Sequence, residues 1–221
     1  ADIDRILLTH WHGDHAGLAA DIQAASGCSV HVHVDDAPLV DGSEATQDMD
    51  DPAFRDTLTA WGMPPQKQTE LAEFIDASAA AYARPTVETF TDGDRFDIGS
   101  VELEAVHLPG HTVGLCGFAF DGRDGRELFS GDALLHYYTP NVGGADVRVT
   151  EPLAAYLDTL VRIIDGEYER AWPGHRGAVV DPTGRAADII DHHRERTDRV
   201  VDVLADGPAT PCDVSAELFG T

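Results

Sequence analysis

The chain has 221 residues, 43% of them hydrophobic, enough to bury one sizeable core with a small appendage, which excludes large-scale disorder. It carries 40 Asp plus Glu against 15 Lys plus Arg, a formal charge of −25 with Lys67 as its sole lysine, which disfavours a nucleic-acid partner and fits a halophilic, salt-rich cytoplasm where about 3 Å of Debye screening relieves self-repulsion. There is no long apolar run and no export-like start, so a cytoplasmic protein without a membrane partner is expected, and the scattered Cys28, Cys116 and Cys212 suggest neither disulfides nor a Cys-rich zinc site.

Ile3 to Thr9 reads as a short strand that ends in the polar cluster His10-Trp11-His12-Gly13-Asp14-His15. Residues 14 to 26 read as one helix, with Asp14 as a possible cap and Gly27 as terminator. Val30, Val32 and Val34 alternate with His31 and His33 in a second strand, and 35 to 51 is acidic and turn-rich, the pattern of a loop or a mobile insertion. Pro52 to Ala83 reads as two helices broken between Gly62 and Pro65, an insertion that either covers a site or forms a packing hairpin. Strands are expected at 86–90, 95–98, 101–108, 115–120 and 126–130, with turns at Asp92-Gly93-Asp94 and Asp121 to Gly125. An amphipathic helix follows at Pro152 to Ile164, then a strand from Tyr168 to Trp172 and a long helix over 182–205. Thr210-Pro211 marks the start of a last helix.

Histidines two apart at a strand end can face the same cation, and an adjoining Asp and His can serve a second. The run H-x-H-x-D-H is therefore different in kind from His31-Val32-His33, which reads as ordinary strand alternation. Thr9 to Gly17, T-H-W-H-G-D-H-A-G, resembles the signature of the metallo-β-lactamase superfamily. Pro109-Gly110-His111-Thr112, Ser130-Gly131-Asp132 and Pro173-Gly174-His175 resemble its later motifs, in the expected order. The resemblance implies an α/β fold, a four-layer αββα sandwich, in which His10, His12 and His111 hold one divalent metal ion and Asp14, His15 and His175 hold another. Asp132 would bridge them. Zinc is the expected metal, with iron or manganese as alternatives. A hydroxide between the two ions would be the nucleophile, with Asp14 orienting it as the catalytic carboxylate.

Asp132 at the bridging position matches the relatives of glyoxalase II and of the RNase Z branch, whereas true β-lactamases typically place cysteine in the second metal's set. The expectation is a glyoxalase II-like hydrolase of a small ester or thioester, a small-molecule substrate. The alternatives are a phosphodiesterase or ribonuclease of the same superfamily, and a non-enzymatic binding module stapled by metal. His136, Tyr137 and Tyr138, shortly after Asp132, are candidates for substrate contact; packing at a loop exit is the competing reading. His107 is read as orienting a ligand or as core. His192 and His193 are read as surface or packing residues. The expected organisation is residues 1–181 as the metallo-β-lactamase-like domain with the insertion at about 52–84, and 182–221 as a helical segment resembling a partial winged helix. Only Asp2 to Thr9 precede the first motif, so the sandwich is expected to lack its first strands. A missing segment or a neighbouring chain, as in a homo-oligomer, would then cover the open sheet edge.

Overall fold

The computed structural model describes residues 3–45, 51–79, 82–144, 146–205, 207 and 209–220. Its elements run β1 (Arg5–Leu7), α1 (Gly13–Ala16), α2 (Ala19–Ser26), β2 (Ser29–His33), α3 (Ala37–Asp41), α4 (Pro52–Ala60), α5 (Pro65–Ala79), β3 (Glu88–Phe90), β4 (Arg95–Asp97), β5 (Glu102–His107), β6 (Cys116–Asp121), β7 (Arg126–Gly131), α6 (Pro152–Asp165), β8 (Arg170–Pro173), α7 (Pro182–Ala205) and α8 (Pro211–Phe219). The chain divides into two compact units, residues 1–44 with 82–190 and residues 45–81 with 191–221.

The first unit is the αββα sandwich. One sheet has the order β1-β2-β3, all parallel, and the other β4-β5-β6-β7-β8, antiparallel except for the β7–β8 pair. Three apolar clusters separate its four layers. Leu8, Val30 and Val32 pack with Ala16, Ala19, Ala37 and Val40 beneath α1 to α3. Phe90 and Leu7 meet Phe96, Leu103, Ala105, Cys116 and Phe118 between the sheets. Leu108, Leu128 and Ala171 pack against Tyr156, Leu160 and Ile163 of α6 and Ala186 and Ile189 of α7. β2 lies between parallel neighbours with layers on both faces, so His31 and His33 are buried along with the valines, as central parallel strands require. Val30 and Val32 are 0% exposed.

β1 forms one edge of its sheet, with no strand beyond it among the described residues. On the other sheet, Phe129 and Trp172 share a face and remain 41% and 38% exposed.

Two local expectations are corrected. Residues 14 to 26 are two helices, α1 and α2, with Gly17 ending the first, and Asp14 caps nothing; His12 occupies the N-cap without a side-chain bond. The 35–51 segment holds the short α3, because Ala37, Leu39 and Val40 bury against the sheet despite the acidic residues around them; residues 46–50 lie outside the described residues.

The second unit is helical. Asp51 caps α4, accepting from the Ala53 N–H at 3.0 Å. Thr210 caps α8 in a reciprocal box with Asp213. The Cys212 N–H donates to the Trp61 carbonyl at 3.0 Å, tying the start of α8 to the end of α4, and the Arg196 guanidinium lies 5.6 Å from the Phe219 ring centroid. No described helix is long and apolar enough to cross a membrane.

Candidate metal centre

Four chain segments meet at one end of the sandwich: the β1–α1 turn with α1, the β5–β6 loop, the end of β7 and the end of β8. β7 shifts register between Phe129 and Gly131, and this irregularity re-aims the chain into Asp132. Backbone bonds fasten these ends together. The Cys116 N–H donates to the Thr9 carbonyl at 2.8 Å, and the Gly174 N–H to the Gly131 carbonyl at 2.9 Å. From the helical side, the Tyr156 hydroxyl donates to the Ala133 carbonyl at 3.1 Å and the Thr159 hydroxyl to the Pro109 carbonyl at 2.7 Å, so α6 braces the loops on either side of the site. Glycine is required at two places. Gly110 has φ +129 and lies against Tyr156, where an added Cβ would come within 2.6 Å of the tyrosine Cβ. At Gly174 a Cβ would collide with His15 Cε1 and come within 2.6 Å of Asp132 Oδ1. Arg176, directly after His175, is held at φ +69, a strained conformation for a side-chain-bearing residue.

All seven side chains singled out by their motifs converge here. His10, His12 and His111 each present a ligand atom within 4.8 Å of the others', and so do Asp14, His15 and His175. Asp132 faces both trios, with Oδ1 3.5 Å from His15 Nε2 and Oδ2 3.7 Å from His111 Nε2 and 3.4 Å from His175 Nε2. Asp14 Oδ2 lies 3.2 Å from His175 Nε2 and 3.6 Å from His15 Nε2. His10 is fully buried and Asp132 is 6% exposed.

The outer nitrogens are committed elsewhere, which sets the inner ones. Thr9 Oγ1 lies 3.0 Å from His10 Nδ1, and His111 Nδ1 donates to the Asn141 carbonyl at 2.7 Å. The second bond fixes the tautomer of His111 and leaves a lone pair on its Nε2, 2.9 Å from His12 Nδ1. His10 Nε2, His15 Nε2 and Asp132 Oδ1 are buried with no hydrogen-bond partner. His10 Nε2 bears the full cost of an unpartnered buried group, on the order of 1–3 kcal/mol, while His15 Nε2 and Asp132 Oδ1 meet only as a loose pair at 3.5 Å; a shared cation is the partner that suits two imidazoles and a carboxylate. The donor set therefore fits divalent metal.

The electrostatics agree. Burial, reinforced by the surrounding imidazoles, pushes His10 well below the usual histidine value, and burial also lowers His111; both are in the neutral form that ligates. Burial acts to raise Asp132, but His15, His111 and His175 outweigh it and hold the carboxyl below its usual value. Burial opposes protonation of His15, yet the Asp132 and Asp14 carboxylates lift it.

The profile of one protein family, the metallo-β-lactamase superfamily, matches residues 1–175. The chain belongs to that superfamily. It is similar to a probable metallo-hydrolase of Bacillus subtilis, 29% identical over 99% of this chain and 68% of that protein. It also resembles the β-lactamase-like protein 2 homolog of Drosophila melanogaster, 24% identical over 94% of this chain and 56% of that one. Among solved structures, a metallo-β-lactamase family protein of Thermus thermophilus superposes with a TM-score of 0.82 at 28% identity, over 99% of this chain and 69% of its own. A β-lactamase domain protein of Burkholderia ambifaria gives 0.75 at 23%, over 98% and 62%, a likeness of fold. The chain thus spans between about half and two thirds of the length of these relatives.

Other residues of this superfamily member have different partners. His136 Nδ1 donates to the Ala178 carbonyl at 3.0 Å and its ring lies tilted against that of Tyr137, a residue 77% exposed, and the Tyr138 carbonyl accepts from Arg185. The described contacts of His136 and Tyr138 run to Ala178, between β8 and α7, and to Arg185 at the start of α7, and His136 lines an open groove with Asp181, Arg185 and Asp188. His107 holds a loop instead of a ligand: its Nε2 donates to the Val113 carbonyl at 2.7 Å, two residues beyond His111, and its ring stacks on His33 at 4.4 Å. His33, Asp35 and His107 are close enough to hold a cation. The two rings are parallel within 7°, however, so their lone pairs do not converge. His193 is buried. The three cysteines are free, and Cys116 is sealed between the sheets with its thiol pushed up by burial.

Sequence reading missed the partners of the site. Thr9 and Asn141 orient ligands, and Asp36, Asp146 and Arg148 bond the ligand-bearing loops. Only Thr9 had a local signal, its place at the end of β1 beside His10.

Proposed function

We propose that this chain is a dinuclear metal-dependent hydrolase of small esters or thioesters, similar in chemistry to glyoxalase II. The observation that carries the reading is the pair of trios joined by Asp132, with buried, partnerless donor atoms aimed inward. Structural metal sites are usually closed sets of four ligands, whereas seven converging ligands with one half-open side leave room for a substrate.

His10, His12 and His111 would hold one cation, Asp14, His15 and His175 the other, and Asp132 both. Bound there, divalent cations supply a hydroxide at neutral pH and a Lewis acid for the substrate's carbonyl. The chain's own residues do the rest. Asp14 is 60% exposed at its side chain while its Oδ2 stays within 3.6 Å of two imidazoles, so it can accept a hydrogen bond from the attacking oxygen and orient it. The hydrogen bond from His111 to Asn141 and the contact of His10 with Thr9 hold these imidazoles against rotation, so little reorganisation accompanies reaction. No serine or cysteine nucleophile is called for. The charge of −25 acts against polyanionic substrates and favours small ones. In the same reading the protein works in a salt-rich cytoplasm and prefers zinc.

A panel of thioester, ester, lactam and phosphodiester substrates, assayed in molar salt with and without added metal, tests the proposal. Metal-dependent turnover of an ester or thioester is expected. Turnover confined to phosphodiesters would replace this substrate class. Full activity in both His12→Ala and Asp132→Ala would remove the mechanism.

A further inference from the structure

We infer that Asp36, Asp146 and Arg148 form a clamp that sets the spacing of the His10, His12 and His111 side chains and so governs the affinity of that site for its cation. The inference rests on the dinuclear reading above and goes beyond the ligands themselves.

The three imidazoles come from two loops far apart in sequence, and those loops are joined by two carboxylates. Asp36 is fully buried. Its Oδ2 accepts from the Trp11 N–H at 3.2 Å and from the Thr112 hydroxyl at 2.8 Å, while Oδ1 accepts from the Gly114 N–H at 2.9 Å. Trp11 stands between His10 and His12, and Thr112 follows His111, so one carboxylate is one residue removed from all three ligands. Asp146 repeats the arrangement: its Oδ2 accepts from the Val113 N–H at 3.1 Å and from the Trp11 indole N–H at 3.4 Å. A single guanidinium nitrogen of Arg148 bridges the two carboxylates, 3.0 Å from Asp36 Oδ1 and 2.7 Å from Asp146 Oδ2. Its other amino group donates to the Asp35 carbonyl at 2.7 Å. His107, through Val113, is a further tie on the same loop.

This arrangement is specific to carboxylates. Asp36 receives a donor at every contact, on both oxygens, so an asparagine in either amide orientation would turn an NH2 towards a backbone N–H. Arg148 supplies the charge that two neighbouring buried carboxylates need. The second trio has no such bridge: the described bonds of this network reach neither Asp14, His15 nor His175. Asp36, Asp146 and Arg148 are therefore positioning residues for one site of the two.

The test uses the full chain in molar salt and reads zinc affinity by chelator competition and the visible spectrum of the cobalt(II)-loaded protein. In a His175→Ala background, which isolates the first trio, Asp36→Asn is expected to weaken the cation by roughly 10- to 100-fold and to alter the cobalt spectrum. In a His12→Ala background, which isolates the second trio, it should change affinity by less than about threefold. Thr112→Val, which removes one bond without touching charge, should give a smaller loss in the first background only. Arg148→Lys should restore much of what Arg148→Ala loses. Equal losses in both backgrounds, or none in a folded Asp36→Asn, overturn the clamp. If Asp36→Asn does not fold, Thr112→Val decides in the same way, and an unchanged first site in that variant overturns the inference. A wild-type chain that binds no cation instead overturns the dinuclear reading, and the clamp with it.

Discussion

The two trios share a carboxylate and each includes a partly buried imidazole, His12 or His15, but their other members differ. His10 and His111 are buried, turned by Thr9 and Asn141, and their loops are laced through Asp36 and Asp146. Across Asp132, Asp14 and His175 have side chains that are 60% and 37% exposed. Preorganised, desolvated ligands bind a cation without reordering, whereas exposed ones pay side-chain entropy and compete with water. In the dinuclear reading proposed above, one site would hold its metal and the other would present one.

The largest effect that would test this contrast is at the residue common to both. Asp132→Ala should weaken both cations and lower turnover by more than the roughly 10- to 100-fold that outer partners typically cost, read as metal content and kcat/KM. Retention of two tightly held cations would break the account. Next in size, Gly174→Ala drives a Cβ into His15 and Asp132. It should empty the more exposed site at metal concentrations that still fill the buried one, as equilibrium dialysis would show; a uniform loss at both would erase the asymmetry. His175→Ala and His12→Ala sharpen it from the ligand side, since the chain lacking His175 should resist chelators longer than the chain lacking His12.

The smallest effect concerns protons, in the metal-free protein. His10 and His111 have folded values depressed below the ordinary 6.5, so the unfolded chain takes up protons that the folded rings refuse. Their contribution is in place above pH 6.5 and is lost as pH falls from there towards the depressed values. His15 is raised and acts oppositely: its contribution is in place below pH 6.5 and fades as pH rises through its folded value. His15→Gln should therefore make the fall in urea midpoint between about pH 7 and 5.5 steeper than in the unaltered metal-free chain. A shallower fall would contradict the assigned direction.

The converging residues were legible because the chemistry concentrates into short motifs at strand ends. H-x-H-x-D-H, P-G-H, S-G-D and P-G-H each place a donor next to the glycine or turn that aims it. The long helix α7 and the capped start of α8 were legible for similar reasons, periodicity and Thr210-Pro211. Where sequence reading failed, the deciding contact was remote. The break between α1 and α2 is the exception, since it falls at Gly17, a local signal inside the stretch read as one helix; α3 forms because Leu39 and Val40 find a core. The clamp was invisible for the same reason: Asp36 finds Thr112, Gly114 and Arg148 at separations of 76, 78 and 112 residues, and nothing beside it in sequence distinguishes it from Asp35. The candidate contacts at His136, Tyr137 and Tyr138 were drawn from proximity to Asp132 along the chain; in the fold His136 also meets the segment that follows His175, through Ala178, and the Tyr138 carbonyl meets Arg185.

The central claim is that these residues hold two cations of unequal affinity. Zinc titration of the metal-free chain in molar salt, followed by isothermal calorimetry, measures it directly. Two binding events per chain are predicted, the tighter lost in His12→Ala and the weaker in His175→Ala. A single event, or two that both vanish with either substitution alone, would contradict it.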